Sequence, residues 1–264
     1  MPEIATIGAL QLDVAAFTET NIHWNQSARD KIRHQLYSHL GSSRVVCASN
    51  ASMSYEDGYQ PGGSMLAVTG TQVGRILESG SDPWGRFTWI EMKGTRDNGL
   101  LVISAYRVSQ LKGTKAGPNT AYTQQLNEMI KEGDLTLDPR TRILTYLRYL
   151  ITAKRAQGFR PILMMDANDD WLDSSSKVFR AFLEDMQPLD PLYEKFGAEG
   201  VTDTTYARGK RCIDFIIVHS TIVPAIKRIG TLGLNEGIIS DHCDEKELFR
   251  GILNRPHINP AREV

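Results

Sequence analysis

Asp13-Val14-Ala15-Ala16-Phe17-Thr18-Glu19 is a short, mostly apolar run closed by a carboxylate, the pattern of a strand buried on both faces. The residues before it, from Met1, predict a short helical stretch. Beyond it Ser27 can cap a helix in which Ile32, Leu36 and Leu40 fall at i, i+4 and i+8, with Gly41 as a stop. Four short strands are then predicted over 44–48, 65–69, 87–92 and 100–106, divided by Gly, Pro, Ser and Asn clusters that favour antiparallel hairpins. Asp138-Pro139 starts a longer helix whose stripe is Ile143, Leu144, Leu147, Leu150 and Ile151, and Gly158 ends it. A continuous apolar strand, 161–165, opens directly into Asp166-Ala167-Asn168-Asp169-Asp170. Val178, Phe179, Phe182, Leu183 and Met186 mark another amphipathic helix, and 211–219 a strand with Asp214 set among apolar neighbours. The acidic run after Cys243, from Asp244 to Glu247, reads as the start of a helix.

No repeat, low-complexity linker or composition break divides the 264 residues, so one domain over 1–264 is the expectation. Thirty basic residues against 31 acidic ones give a net charge of −1, which advertises no nucleic-acid partner globally and leaves only local patches to do so. Cys47, Cys212 and Cys243 are odd in number and lack metal-ligand spacing, which speaks against a disulfide framework and a zinc knuckle and for a reducing compartment. With no basic and apolar leader at Met1 and no run near the ~18 apolar residues of a membrane span, the expectation is an intracellular chain, cytoplasmic or nuclear.

Asp214 is the most informative single residue, because an ionised carboxylate taken from water costs several kcal/mol unless it is paired or metal-bound. Two readings stand: a structural acid bonded to backbone or to Arg211, or a carboxylate that orients the imidazole of His242 in Ser240-Asp241-His242. The order of the polar strand ends adds to this. Thr18-Glu19-Thr20, Ser104-Ala105-Tyr106-Arg107, Asp166-Ala167-Asn168, Ile213-Asp214-Phe215 and Ser240-Asp241-His242 follow one another as five motifs over nearly the whole chain. In that order the chain resembles the endonuclease/exonuclease/phosphatase superfamily with the deoxyribonuclease I-like fold. Tyr106-Arg107 and the 161–168 segment look most like the endonuclease domains of retrotransposable elements.

The resemblance implies an α+β, four-layer α/β/β/α sandwich and a metal-dependent hydrolysis of the DNA backbone, with Mg²⁺ or Mn²⁺ as cofactor. It places Glu19 and Asp241 at the metal. Asp166 would ready the attacking water, and Asn168 would bond the phosphoryl group or that water. His242 would donate to a non-bridging oxygen with Asp214 fixing its tautomer, and Tyr106 would approach the scissile phosphate. Arg107, Lys210 and Arg211 would contact phosphates of the DNA, although the 208–211 loop also reads as a solvated hairpin. The basic residues of the long helix, Arg140, Arg142, Arg148, Lys154 and Arg155, read as its wet face, and the tryptophans as core.

Two departures are visible. No residue matches the asparagine of the family's opening strand, as if that strand were lacking, and the acidic run after Cys243 stands where an apolar closing strand is normal. The same motifs permit a phosphatase or phosphodiesterase acting on a small or lipid phosphate ester, or a remnant that keeps the fold without activity. No protein partner is inferable.

Overall fold

The computed structural model describes residues 12–52, 59–94, 98–109, 117, 119–134, 138–170, 176–186, 188–189, 191, 194, 205, 212–232 and 244–249. In chain order its elements are β1 (Val14–Thr18), α1 (Gln26–Leu40), β2 (Ser43–Ala48), β3 (Ser64–Thr69), β4 (Ile76–Ser81), β5 (Phe87–Lys93), β6 (Gly99–Tyr106), α2 (Ala121–Lys131), α3 (Pro139–Ala156), β7 (Phe159–Asp166), α4 (Lys177–Met186), β8 (Pro188–Leu189), β9 (Asp214–His219), β10 (Ile226–Leu232) and β11 (Asp244–Phe249). The expected early helical stretch lies outside the described residues, apart from Leu12.

Side-chain alternation assembles these strands into layers. In β3 all six residues are buried. Met65 and Ala67 pack with Ile32 and Leu36 of α1, while Leu66 and Val68 point the other way, to Ile90, Met92, Val102 and Ile216. A strand covered on both faces has no polar alternation to show, which is why it reads as an apolar run. β1, β3 and β2 form one antiparallel sheet in that order, and β4-β5-β6-β7-β9-β8 form the second, in which β6 and β7 pair parallel and the other neighbours among the described residues antiparallel. The second sheet repeats the division. Leu100 and Val102 of β6 face the first sheet, whereas Leu101, Ile103 and Ala105 pack under α3 and α4 with Ile143, Leu147, Phe179 and Phe182. The result is helix, sheet, sheet, helix, the four-layer sandwich anticipated from the strand ends.

Local chemistry sets the element ends. Asp138 caps α3 by accepting from Arg140 N at 2.7 Å and Thr141 N at 3.1 Å, with Pro139 in the first turn. The cap of α1 is Asn25, which accepts from Ala28 N at 2.9 Å, and not Ser27, which lies one residue inside the helix. The acidic run from Asp244 is strand β11, not a helix, and pairs antiparallel with β10 through Thr231↔Glu245 and Leu232↔Asp244. Pairing with β10 overrides the weak helical preference of Glu and Lys. Nor is the basic side of α3 uniformly wet. Arg140 and Arg142 are buried, Arg142 in ion pairs with Asp134 at 2.7 Å and with Glu132, and Lys154 pairs with the buried Glu91. Trp24 and Trp84 are core, as expected; Trp171 lies outside the described residues. No helix among the described residues is long and apolar enough to cross a membrane.

Candidate active site

Four strand ends deliver the polar groups to one edge of the sandwich. β6 and β7 run parallel, so Tyr106 and Asp166 end level with each other, and β7 and β9 run antiparallel with Asp166 opposite Asp214. The first sheet is fixed above this row where Ser104 Oγ donates to Phe17 O at 3.1 Å. That bond sets the exit of β1, and with it Glu19, over the end of β6. Tyr106 hydrogen-bonds Glu19, and its phenol is held well above its usual pKa by burial and by the negative charges of Glu19 and Asp166. The ring is 4% exposed. Tyr106 is therefore a neutral hydroxyl donor at neutral pH, with no phenolate to offer.

The turn after β1 is built for this position. Glu19 and Asn21 have φ of 49° and 53°, in the left-handed region that asparagine enters more readily than most residues. Asn21 N donates to Gly62 O at 2.8 Å, and Gly62 N donates back to Asn21 Oδ1 at 3.0 Å. Gly62 itself has φ 82°, and a Cβ there would lie 3.3 Å from Tyr106 Cε1 and from Ala121 Cβ, so the glycine lets two loops close against the tyrosine ring.

Asp166 and Asn168 form one unit. Asp166 Oδ1 accepts from Asn168 N at 3.0 Å, and Asp166 Oδ2 accepts from Asn168 Nδ2 at 3.0 Å. The second amide proton of Asn168 goes to Arg107 O at 2.9 Å. With both amide protons committed, the side chain has its carbonyl oxygen left to offer, which suits a water proton better than a phosphoryl oxygen. Below the turn, Ala167 N donates to Ile213 O at 2.8 Å and ties it to the approach of β9.

Arg107 stands apart from the expectation of a phosphate contact. Its guanidinium is buried, with Nε donating to Arg140 O at 3.0 Å and Nη1 to Ala167 O at 3.1 Å and Asp169 Oδ2 at 2.7 Å. It stacks over the Phe179 ring at 5.7 Å. Burial, and then the neighbouring Arg140, lower its pKa to about 10, with Asp169 working against them, so it stays charged at neutral pH. The donors turn inward because Asp169 and loop carbonyls lie there to receive them.

Of the other expected site residues, Asp241, His242, Lys210 and Arg211 lie outside the described residues. Glu19, Tyr106, Asp166, Asn168 and Asp214 are brought to one edge. Among the described residues no group of three or more His, Cys, Asp or Glu side chains is placed to hold a metal ion. Sequence reasoning passed over Asp169, Arg140 and Ser176, which gather under the Asp166–Asn168 turn. The carboxylate directly after Asn168 was the available signal.

No protein-family model matches the sequence, and no curated protein matches it by sequence. Solved structures do match the fold. An AP endonuclease from Leishmania major superposes with a TM-score of 0.64 at 14% identity, over 94% of this chain and 82% of that one. A 3′ phosphatase from Neisseria, bound to a product DNA hairpin, gives a TM-score of 0.59 at 15% identity over 94% and 93%. The endonuclease domain of TRAS1, a telomere-specific non-LTR retrotransposon, gives 0.54 at 13% over 94% and 91%. These neighbours are nucleases and a phosphatase of the endonuclease/exonuclease/phosphatase superfamily. The chain has their deoxyribonuclease I-like fold.

Proposed function

We propose that this protein is a divalent-metal-dependent phosphodiesterase that hydrolyses the DNA backbone, an endonuclease of retroelement type. The observation that carries the reading is the convergence of Glu19, Tyr106, Asp166, Asn168 and Asp214, from four strands in two sheets, at a single edge. Carboxylates opposed across a sheet are unfavourable for stability alone, and gathering them with a hydroxyl donor suits phosphate chemistry.

The donors at this edge are all oxygens, which fits a hard cation such as Mg²⁺ or Mn²⁺ and not zinc. Glu19, exposed at the exit of β1, would hold it together with Asp241 and water. When bound, such an ion neutralises phosphate charge and makes water easier to deprotonate. Asp166 takes the proton of the attacking water, its carboxylate aimed by the two Asn168 donors. Asn168 accepts from the same water through its carbonyl oxygen. Tyr106 keeps its one hydroxyl proton, its pKa held high by burial and by Glu19, and would turn that proton from Glu19 to a phosphoryl oxygen once Glu19 holds the metal. His242, oriented by Asp214, donates to a non-bridging oxygen as charge builds there. Lys210 and Arg211 grip flanking phosphates, while Arg107 holds the Asp166–Asn168 turn from beneath. The products are a 5′-phosphate and a 3′-hydroxyl.

A substrate panel tests the reading. Supercoiled plasmid and inositol phosphates are each incubated with the protein in Mg²⁺, in Mn²⁺ and in excess chelator. Nicking of plasmid that stops in chelator is the expected result. Phosphate released from inositol phosphates with the plasmid left intact would replace DNA by a small ester as substrate, and cleavage that persists in chelator would remove the metal.

A further inference from the structure

Asp169 collects three donors directly beneath the Asp166–Asn168 turn. Its Oδ2 accepts from Arg107 Nη1 at 2.7 Å and Arg140 Nη2 at 3.0 Å, and its Oδ1 accepts from the Ser176 hydroxyl. Burial pushes its carboxyl up, but the bonds from Ser176 and Arg107 and the charges of both arginines more than offset this and hold it below the usual range. The two guanidiniums then grip the turn itself. Arg107 Nη1 donates to Ala167 O at 3.1 Å, and Arg140 Nη2 donates to Asn168 O at 3.1 Å. Arg140 Nη1 reaches Val108 O at 2.6 Å, so the exit of β6, the first turn of α3 and the approach to α4 all bind one short segment.

That segment needs holding. Asn168 has φ 48°, a left-handed conformation that asparagine enters more readily than most residues but that lies outside the broad allowed regions, and in it the side chain folds back onto Asp166. With the carbonyls of Ala167 and Asn168 both fixed from below, the backbone has no low-cost route back to the extended region.

We propose that Asp169, with Arg107 and Arg140, is a positioning unit that holds the Asp166–Asn168 turn in its reactive shape, so that losing it slows the chemical step and leaves substrate binding intact. This rests on the phosphodiesterase reading above. Charge balance alone would be met by any cation near Asp169. Positioning requires the guanidinium fork, because one Lys ammonium cannot reach Arg140 O, Ala167 O and Asp169 in the fixed geometry that Arg107 uses.

The test uses the whole chain with Asp169→Asn and Arg107→Lys, beside the parent and Asp166→Ala, and two readouts. The first is hydrogen exchange of the Asn168 backbone amide, with Leu163 and Ile217 amides as internal controls. The second is kcat and KM for plasmid nicking, at a temperature where every variant is folded by circular dichroism. In both positioning variants Asn168 should exchange faster while the controls hold. Their kcat should fall about 10–100-fold, the usual effect of losing an outer-shell partner, with KM within about twofold. Unchanged exchange at Asn168, or parental kcat in Arg107→Lys when the parent clearly outpaces Asp166→Ala, overturns the proposal. A parent no faster than Asp166→Ala sinks the phosphodiesterase reading instead, and exchange at Asn168 then decides alone whether the unit holds the turn. If Asp169→Asn does not fold, Ser176→Ala, which keeps every charge, takes its place with the same readouts.

Discussion

Arg86 and Asp82 form an ion pair sealed in the turn before β5, and breaking it is a sharp test of how this edge of the fold is held. Arg86 Nε donates to Asp82 Oδ2 at 2.8 Å and Nη2 to Oδ1 at 2.6 Å, with the two side chains 2% and 1% exposed. Asp82 Oδ2 also accepts from Trp84 N at 3.1 Å and Arg86 N at 3.2 Å, closing the turn. The guanidinium sits 4.4 Å from the Trp84 ring centroid and 4.6 Å from that of Tyr146. Arg86→Met keeps much of the stem but leaves a buried carboxylate without its cation, which costs about 3–5 kcal/mol. Against a total stability of roughly 5–15 kcal/mol, that is a large share. Asp82→Asn strands the guanidinium and should cost a comparable amount. Together the two substitutions remove both charges, so the double variant should lose several kcal/mol less than the sum of the singles. Equilibrium urea unfolding of the four proteins gives the cycle. Single losses below about 1 kcal/mol, or simple additivity, would show that the pair is not a buried, coupled ion pair. Because Arg86 O accepts Tyr106 N at 2.8 Å, the singles should also lower plasmid nicking.

Glu19→Gln keeps the shape and removes the charge, so half-maximal nicking should need more Mg²⁺, read from a metal titration; an unchanged requirement would take Glu19 out of the metal site. Burial pushes the Cys47 thiol up from about 9 to about 12, with Arg29 and Arg33 pulling it down. The unfolded chain thus loses that proton first, so this thiol's contribution to stability is intact below about pH 9 and falls by up to about 1.4 kcal/mol per pH unit as pH rises toward 12. Urea midpoints of the parent and Cys47→Ala across pH 8 to 11 should diverge in slope, the variant falling less steeply. Neutralising Lys210 and Arg211 should weaken DNA binding on all sequences alike and flatten its dependence on salt, since phosphate contacts carry no base information; a change in sequence preference would contradict this.

Most of the sandwich was legible because its strands are covered on both faces and read as short apolar runs, with β3, β6 and β7 close to their expected ranges. β4 and β10 were missed since Ile76–Ser81 and Ile226–Leu232 hold few apolar residues, and their identity as strands comes from partners, not from their own pattern. The misreading of α3 has the same root. Periodicity shows which face of a helix is polar, but not that Arg140 and Arg142 find carboxylates and carbonyls within the fold. At the site, the carboxylates at strand ends were visible as breaks in apolar runs. The inward turn of Arg107 was not, because it depends on Asp169, 62 residues further along the chain.

Asp166 carries the proposed hydrolysis. Parent and Asp166→Ala are compared for nicking of supercoiled plasmid in Mg²⁺, with DNA binding measured alongside in the same buffer. Removing the group that readies the water should cut the nicking rate by about 10²–10⁴-fold while binding stays at the parental level. A parent that nicks no faster than Asp166→Ala, with both folded and both bound to DNA, would contradict the account.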